Sequence, residues 1–127
     1  MSIALNAFRD YKYDEEKERL IYIGNEPIDL CASTWRDRVY PIIDKANELV
    51  GGGIAINSYD SFDSCGTARE RKLEIVEPEK MVIALEAARE YYVGLEDTKT
   101  RDNMVAFIDG VLLPRARKGL YFTGDCD

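Results

Sequence analysis

The chain has 127 residues and a formal net charge of −7, with 46% hydrophobic and 32% charged residues. This is an ordinary globular mixture, so a single domain over 1–127 with its own core is expected, and a disordered or fibrous chain is excluded. No run approaches the roughly 18 apolar residues of a membrane-spanning helix, and no basic then apolar leader precedes the first charges, so a cytoplasmic protein is expected.

Residues 1–13 are ambiguous: Ile3, Ala4, Ala7, Phe8 and Tyr11 fit one helical face, with Ser2 as a cap. Asp14 to Glu18 reads as a solvated charge run. Arg19 to Ile23 reads as a strand, and the turn residues Gly24-Asn25-Glu26-Pro27 predict a hairpin with Ile28 to Ala32 as its return strand. Ser33 and Thr34 can cap a helix reaching Val50, whose apolar positions Trp35, Val39, Ile42, Ala46 and Leu49 form one face. Pro41 either kinks this helix or sits in the first turn of a new one. Gly51-Gly52-Gly53 suits a helix C-terminal cap, and lacks the pattern of a phosphate loop.

Ile54 to Tyr59 and Arg71 to Glu77 are the next strand candidates, joined by a polar loop from Asp60 to Arg69. Pro78 opens the strongest helix, with Met81, Leu85, Ala88, Tyr92 and Leu95 on one stripe and Gly94 near its end. A further helix is expected from Arg101 to Leu113, weakened by Gly110 and stopped by Pro114, followed by a short strand from Leu120 to Thr123. Asp125 and Asp127 read as a solvated tail. The expected fold is α+β: a small, mostly antiparallel sheet of four or five short strands packed against three or four helices.

Histidine is absent. That removes Ser-His and Cys-His nucleophilic sites, histidine bases and histidine metal ligands together. Cys31, Cys65 and Cys126 are odd in number and lack C-x-x-C spacing, so reduced thiols are expected, with Cys126 the most exposed. Cys65 to Arg71 has the C-x5-R spacing that resembles the loop of cysteine-dependent phosphatases. However, it leads into an alternating strand rather than into the helix N-terminus such a loop needs. No metal or other cofactor is expected.

Net negative charge opposes nucleic-acid binding and favours fast association with a basic protein. Residues 101–127 balance, with Arg101, Arg115, Arg117 and Lys118 against Asp102, Asp109, Asp125 and Asp127, so the first hundred residues carry the excess. The clusters Arg69/Arg71/Lys72 and Arg115/Arg117/Lys118 have no aromatic-rich nucleic-acid signature beside them. There are eight tyrosines. Tyr22, Tyr40, Tyr91, Tyr92 and Tyr121 are assigned to the core or its rim, whereas Tyr11, Tyr13 and Tyr59 sit among acids and are interface candidates.

The expected partner-binding residues are therefore Asp10, Tyr11, Tyr13, Asp14, Glu15 and Glu16, with Tyr59, Asp60, Phe62 and Asp63. In size, charge and missing catalytic groups the chain resembles small acidic inhibitors such as toxin-immunity proteins and phage inhibitors. This implies a non-catalytic protein blocking a basic site on a partner such as a toxin or nuclease. Two alternatives stand beside it. One is a histidine-free enzyme using carboxylates or Cys65. The other is a self-associating regulator, a homo-oligomer whose stripe from Met81 to Leu95 stays partly exposed in the monomer.

Overall fold

The computed structural model describes residues 3–54 and 75–126. The fold is a mixture of helices and antiparallel sheets, α+β as expected, but the strands divide between two sheets instead of forming one. Strands β1 (Ile3–Phe8), β4 (Ile28–Leu30) and β5 (Tyr121–Cys126) form a three-stranded sheet in the order β4-β1-β5. Strands β2 (Asp10–Asp14) and β3 (Arg19–Ile23) form a separate two-stranded hairpin.

Here one ambiguity of the sequence is resolved and one expectation fails, each for an identifiable reason. Residues 3–8 form the central strand rather than a helix. Leu5, Asn6, Ala7 and Phe8 are all buried, and a strand covered on both faces loses the polar-apolar alternation that would reveal it. The expected β3–β4 hairpin does not form. β3 turns back on β2, with Tyr11 opposite Tyr22 and Asp14 opposite Arg19, and β4 pairs with β1. The deciding turn lies inside the charge run. Asp14 Oδ1 accepts hydrogen bonds from the Glu16 and Lys17 amides at 3.1 and 3.2 Å, and Glu18 adopts a left-handed φ of 47° that closes the loop. The segment Gly24-Asn25-Glu26-Pro27 instead carries the chain between the sheets, held by the Glu26 amide on the Ala7 carbonyl at 2.6 Å.

β5 runs longer than expected, so Asp125 lies in a strand opposite Ala4 rather than in a solvated tail. Its outer edge carries one further bridge, Val76 to Phe122. Val76 is buried there while Ile75 is half-buried. Of the two strand candidates in the middle of the chain, 55–59 and 71–74 lie outside the described residues. Ile54 is buried, and its amide donates to Asn47 Oδ1 at 2.9 Å.

Among the described residues, three helical rods pack on the sheet. The first begins as α1 (Ala32–Thr34), passes through a π turn (Trp35–Val39) and continues as α2 (Tyr40–Leu49). Pro41 thus sits in the first turn of α2, and the wider π winding just before it relieves the collision of a proline ring with the preceding turn. α2 ends in a Schellman arrangement: the Gly52 amide donates to Asn47 O at 2.8 Å and the Gly51 amide to Glu48 O at 3.3 Å, with Gly51 at φ 79°.

The second rod is α3 (Pro78–Val93), with proline in its first turn as predicted. The third begins at Thr98, three residues earlier than expected, because Asp97 caps it by accepting from the Lys99 and Thr100 amides at 3.1 and 3.3 Å. It comprises α4 (Thr98–Phe107), a π turn (Ile108–Leu112) and α5 (Leu113–Arg117). Pro114 therefore does not stop the helix. As at Pro41, a π turn precedes the proline and the rod runs on.

The core lies between these rods and one face of the three-stranded sheet. Leu5, Ala7 and Phe122 from the strands meet Ile42, Ala46, Met81, Leu85, Ile108 and Leu112 from the rods, all buried. A residue such as Leu85 contributes about 1.5–3 kcal/mol by leaving water. The stripe Met81, Ala84, Leu85, Ala88 and Tyr92 is buried within the chain, and that burial pushes the Tyr92 phenol above its ordinary pKa.

Candidate functional site

Strand alternation and register place Asn6, Phe8, Tyr121 and Thr123 together on the other face of the sheet. The β2–β3 hairpin is fastened there by aromatic packing. Tyr22 stacks on Phe8 with centroids 4.6 Å apart. Tyr11 meets Phe8 and Tyr121 edge-on at 5.8 and 5.6 Å, and Phe8 stacks on Tyr121 at 6.1 Å. Tyr11, Tyr13, Leu20 and Tyr22 form one half-buried side of the hairpin, while Asp10, Lys12, Arg19 and Ile21 are exposed.

This arrangement sorts the candidate residues. Tyr11 and Tyr13 point toward the sheet side, so Tyr11 serves as an anchor for the hairpin itself. Asp10, Glu15 and Glu16 are exposed and Asp14 is half-buried at the turn. Glu18, also exposed, joins them at the tip. Six ion pairs link described residues, on Asp37, Glu48, Asp109, Asp102, Glu86 and Glu26, and none of them uses a hairpin carboxylate. Tyr59, Asp60, Phe62 and Asp63 lie outside the described residues, as does Cys65.

The basic cluster Arg115, Arg117 and Lys118 at the end of the third rod is engaged. Arg115 donates to two backbone carbonyls, Glu26 O at 3.2 Å and Val111 O at 2.9 Å. Arg117 pairs with Glu86 at 3.4 Å and Lys118 with Glu26 at 3.1 Å. A concavity of about 550 Å³ between α3 and the third rod is lined by Glu86, Arg89, Glu90, Val93, Asp109 and Arg117. Asp109, 2.7 Å from Arg89, holds that guanidinium above its ordinary pKa. Both arginines of the concavity are thus matched by carboxylates of the chain, and among the described residues no serine, threonine, cysteine or lysine lines it.

The surroundings of one thiol were not anticipated from the sequence. Cys31 is exposed at the start of α1, with its Sγ 3.1 Å from both Ser33 Oγ and Thr34 Oγ1. These hydroxyls, with the Thr34 and Ser33 amides, lower its pKa to about 7. The signal was legible as Cys-x-Ser-Thr at a helix start. Among the described residues there is no cluster of three or more metal-ligating side chains, and no helix long and apolar enough to cross a membrane. Comparison with protein-family models, with curated proteins and with solved structures finds no match.

Proposed function

We propose that this chain is a non-catalytic acidic binding protein, an inhibitor of the immunity or antitoxin kind, that covers a basic site on a partner protein. The observation that supports this reading is the β2–β3 hairpin. It presents Asp10, Asp14, Glu15, Glu16 and Glu18 against Lys12, Lys17 and Arg19, with no ion pair among the described residues consuming a carboxylate. Aromatic packing beneath it holds the charges in place, so little conformational freedom is lost when a partner docks. The five acids outnumber the three cations by two, and such an excess chiefly accelerates encounter with a surface of the opposite sign.

The test compares the wild type with a Glu15→Lys, Glu16→Lys variant, which leaves the Asp14 turn intact. Each is immobilised, exposed to source-cell lysate at low salt and eluted with rising salt. One stoichiometric basic protein should elute from the wild type, and its association rate should fall about tenfold on the variant, with a flatter salt dependence. Equal association with both proteins, or no partner at low salt, overturns the proposal.

A further inference from the structure

α2 and α3 lie side by side and antiparallel: Lys45 of α2 is beside Tyr91 of α3, and the Lys80 amine lies over Gly53, beyond the end of α2. Their inner faces belong to the core. On the outside, Leu49, Ala87, Glu90 and Tyr91 line an open trough of about 360 Å³. Ile83, Ala87 and Tyr91 stand at i, i+4 and i+8, so Ile83 extends the apolar line by one turn. Leu49 is 45% exposed, Ile83 63% and Tyr91 41%. Single exposed apolar residues are ordinary, whereas an aligned set along a trough marks a contact surface.

The rim is acidic. Asp44 and Glu48 on α2 and Glu90 on α3 are exposed. Of the two lysines along the seam, Lys80 lies at its far end over Gly53, and Lys45 is already engaged: its Nζ is 3.2 Å from Glu48 and 4.4 Å from the centroid of the Tyr91 ring. We propose that this trough receives an amphipathic helix of another protein, apolar along one face and rich in lysine or arginine beside it. The shape follows from helix packing, because two adjacent helices leave a groove that a third helix fills with residues at i, i+3, i+4 and i+7. The sign follows from the rim. A second copy of this chain would bring its own acidic rim and a net charge of −7 to the same place, which argues for a foreign, basic occupant. No hairpin residue lines the trough, so this surface is independent of the one proposed above.

The test uses a synthetic 18-residue peptide with leucine along one helical face and lysine elsewhere, and a scrambled peptide of the same composition. Binding is measured by calorimetry at physiological salt. The ordered peptide should bind at least tenfold more tightly than the scrambled one. Tyr91→Ala and Ile83→Asp should each weaken it about tenfold, whereas Glu15→Lys with Glu16→Lys should leave it unchanged within about twofold. Ile83 is the most exposed of these side chains, so its substitution should leave the unfolding temperature unaltered and keep the comparison valid. Equal affinity for both peptides, no binding, or loss of binding in the hairpin variant overturns the proposal. So does a dimer in sedimentation that Ile83→Asp converts to monomer, since the occupant would then be a second copy.

Discussion

Substitution of Arg115 by alanine should be the most damaging change available to any charged residue of the third rod. Its guanidinium joins the Glu26 carbonyl, on the segment between the two sheets, to the Val111 carbonyl in the π turn. Hydrogen bonds from a charged group contribute about 1.5–3 kcal/mol each. The side chain is half-buried, which places both bonds at the lower end, about 3 kcal/mol together; water reaching the freed carbonyls returns part of this, leaving a loss of about 2 kcal/mol. For a chain of this size that is a fall of roughly 6–10 °C in Tm. Urea unfolding checks it, as a lower midpoint at an unchanged m value. Arg115→Lys keeps the charge without the fork and should recover at most about half. Arg117→Ala is the internal control: its pair with Glu86 is 3.4 Å long and exposed on both sides, so its removal should cost under about 0.5 kcal/mol. If Arg115→Ala proves no worse than Arg117→Ala, the tie between the sheet connection and the π turn has been misjudged.

Three further outcomes are expected. Thr123 Oγ1 is buried and has no hydrogen-bond partner among the described residues, so Thr123→Val should leave stability unchanged or raise it by about 1 kcal/mol, and a loss of about 1 kcal/mol or more in urea would show that the hydroxyl is bonded after all. Glu18 holds a left-handed φ of 47°, and Glu18→Gly should raise stability by about 0.5–1 kcal/mol in thermal unfolding. Alkylation of Cys31 should rise with pH around a midpoint of about 7, because its lowered pKa exposes thiolate at a lower pH than an ordinary thiol; Ser33→Ala should move the midpoint up toward the ordinary thiol value, and no movement would sever the link to that hydroxyl.

The helices were the legible part of this fold. Pro78, the Gly51-Gly52-Gly53 exit and the stripe through Met81, Leu85 and Ala88 all act where local rules put them. What misled was strand pairing, which depends on partners distant in the chain. Gly24-Asn25-Glu26-Pro27 carries stronger turn residues than Glu15-Glu16-Lys17-Glu18, yet the hairpin closes at the latter, through the Asp14 carboxylate and one strained backbone. Residues 3–8 were ambiguous in the sequence because both faces of the strand are buried, Asn6 and Phe8 on one side and Leu5 and Ala7 on the core side. Pro114 misled in another way, since no propensity rule anticipates a π turn. For the candidate site, the acidic cluster was visible as composition, but the inward direction of Tyr11 and Tyr13 follows only from register. Cys31 was passed over because its hydroxyl neighbours matter only once the helix start folds them back onto the sulfur.

The position of β1 has a consequence for how the molecule is made. The strand at residues 3–8 is flanked on one side by β5, separated from it by more than a hundred residues of chain. Closing so long a loop opposes pairing by about 4 kcal/mol of chain entropy before any contact compensates. During synthesis the hairpin and the first two rods can form behind the advancing end, but β1 stays half-zipped, with its β5-facing edge open, until the last strand emerges. Assembly of the three-stranded sheet is then a single late event that locks the earlier pieces together, and the interval before it is when the nascent chain is most open to mispairing with a neighbour.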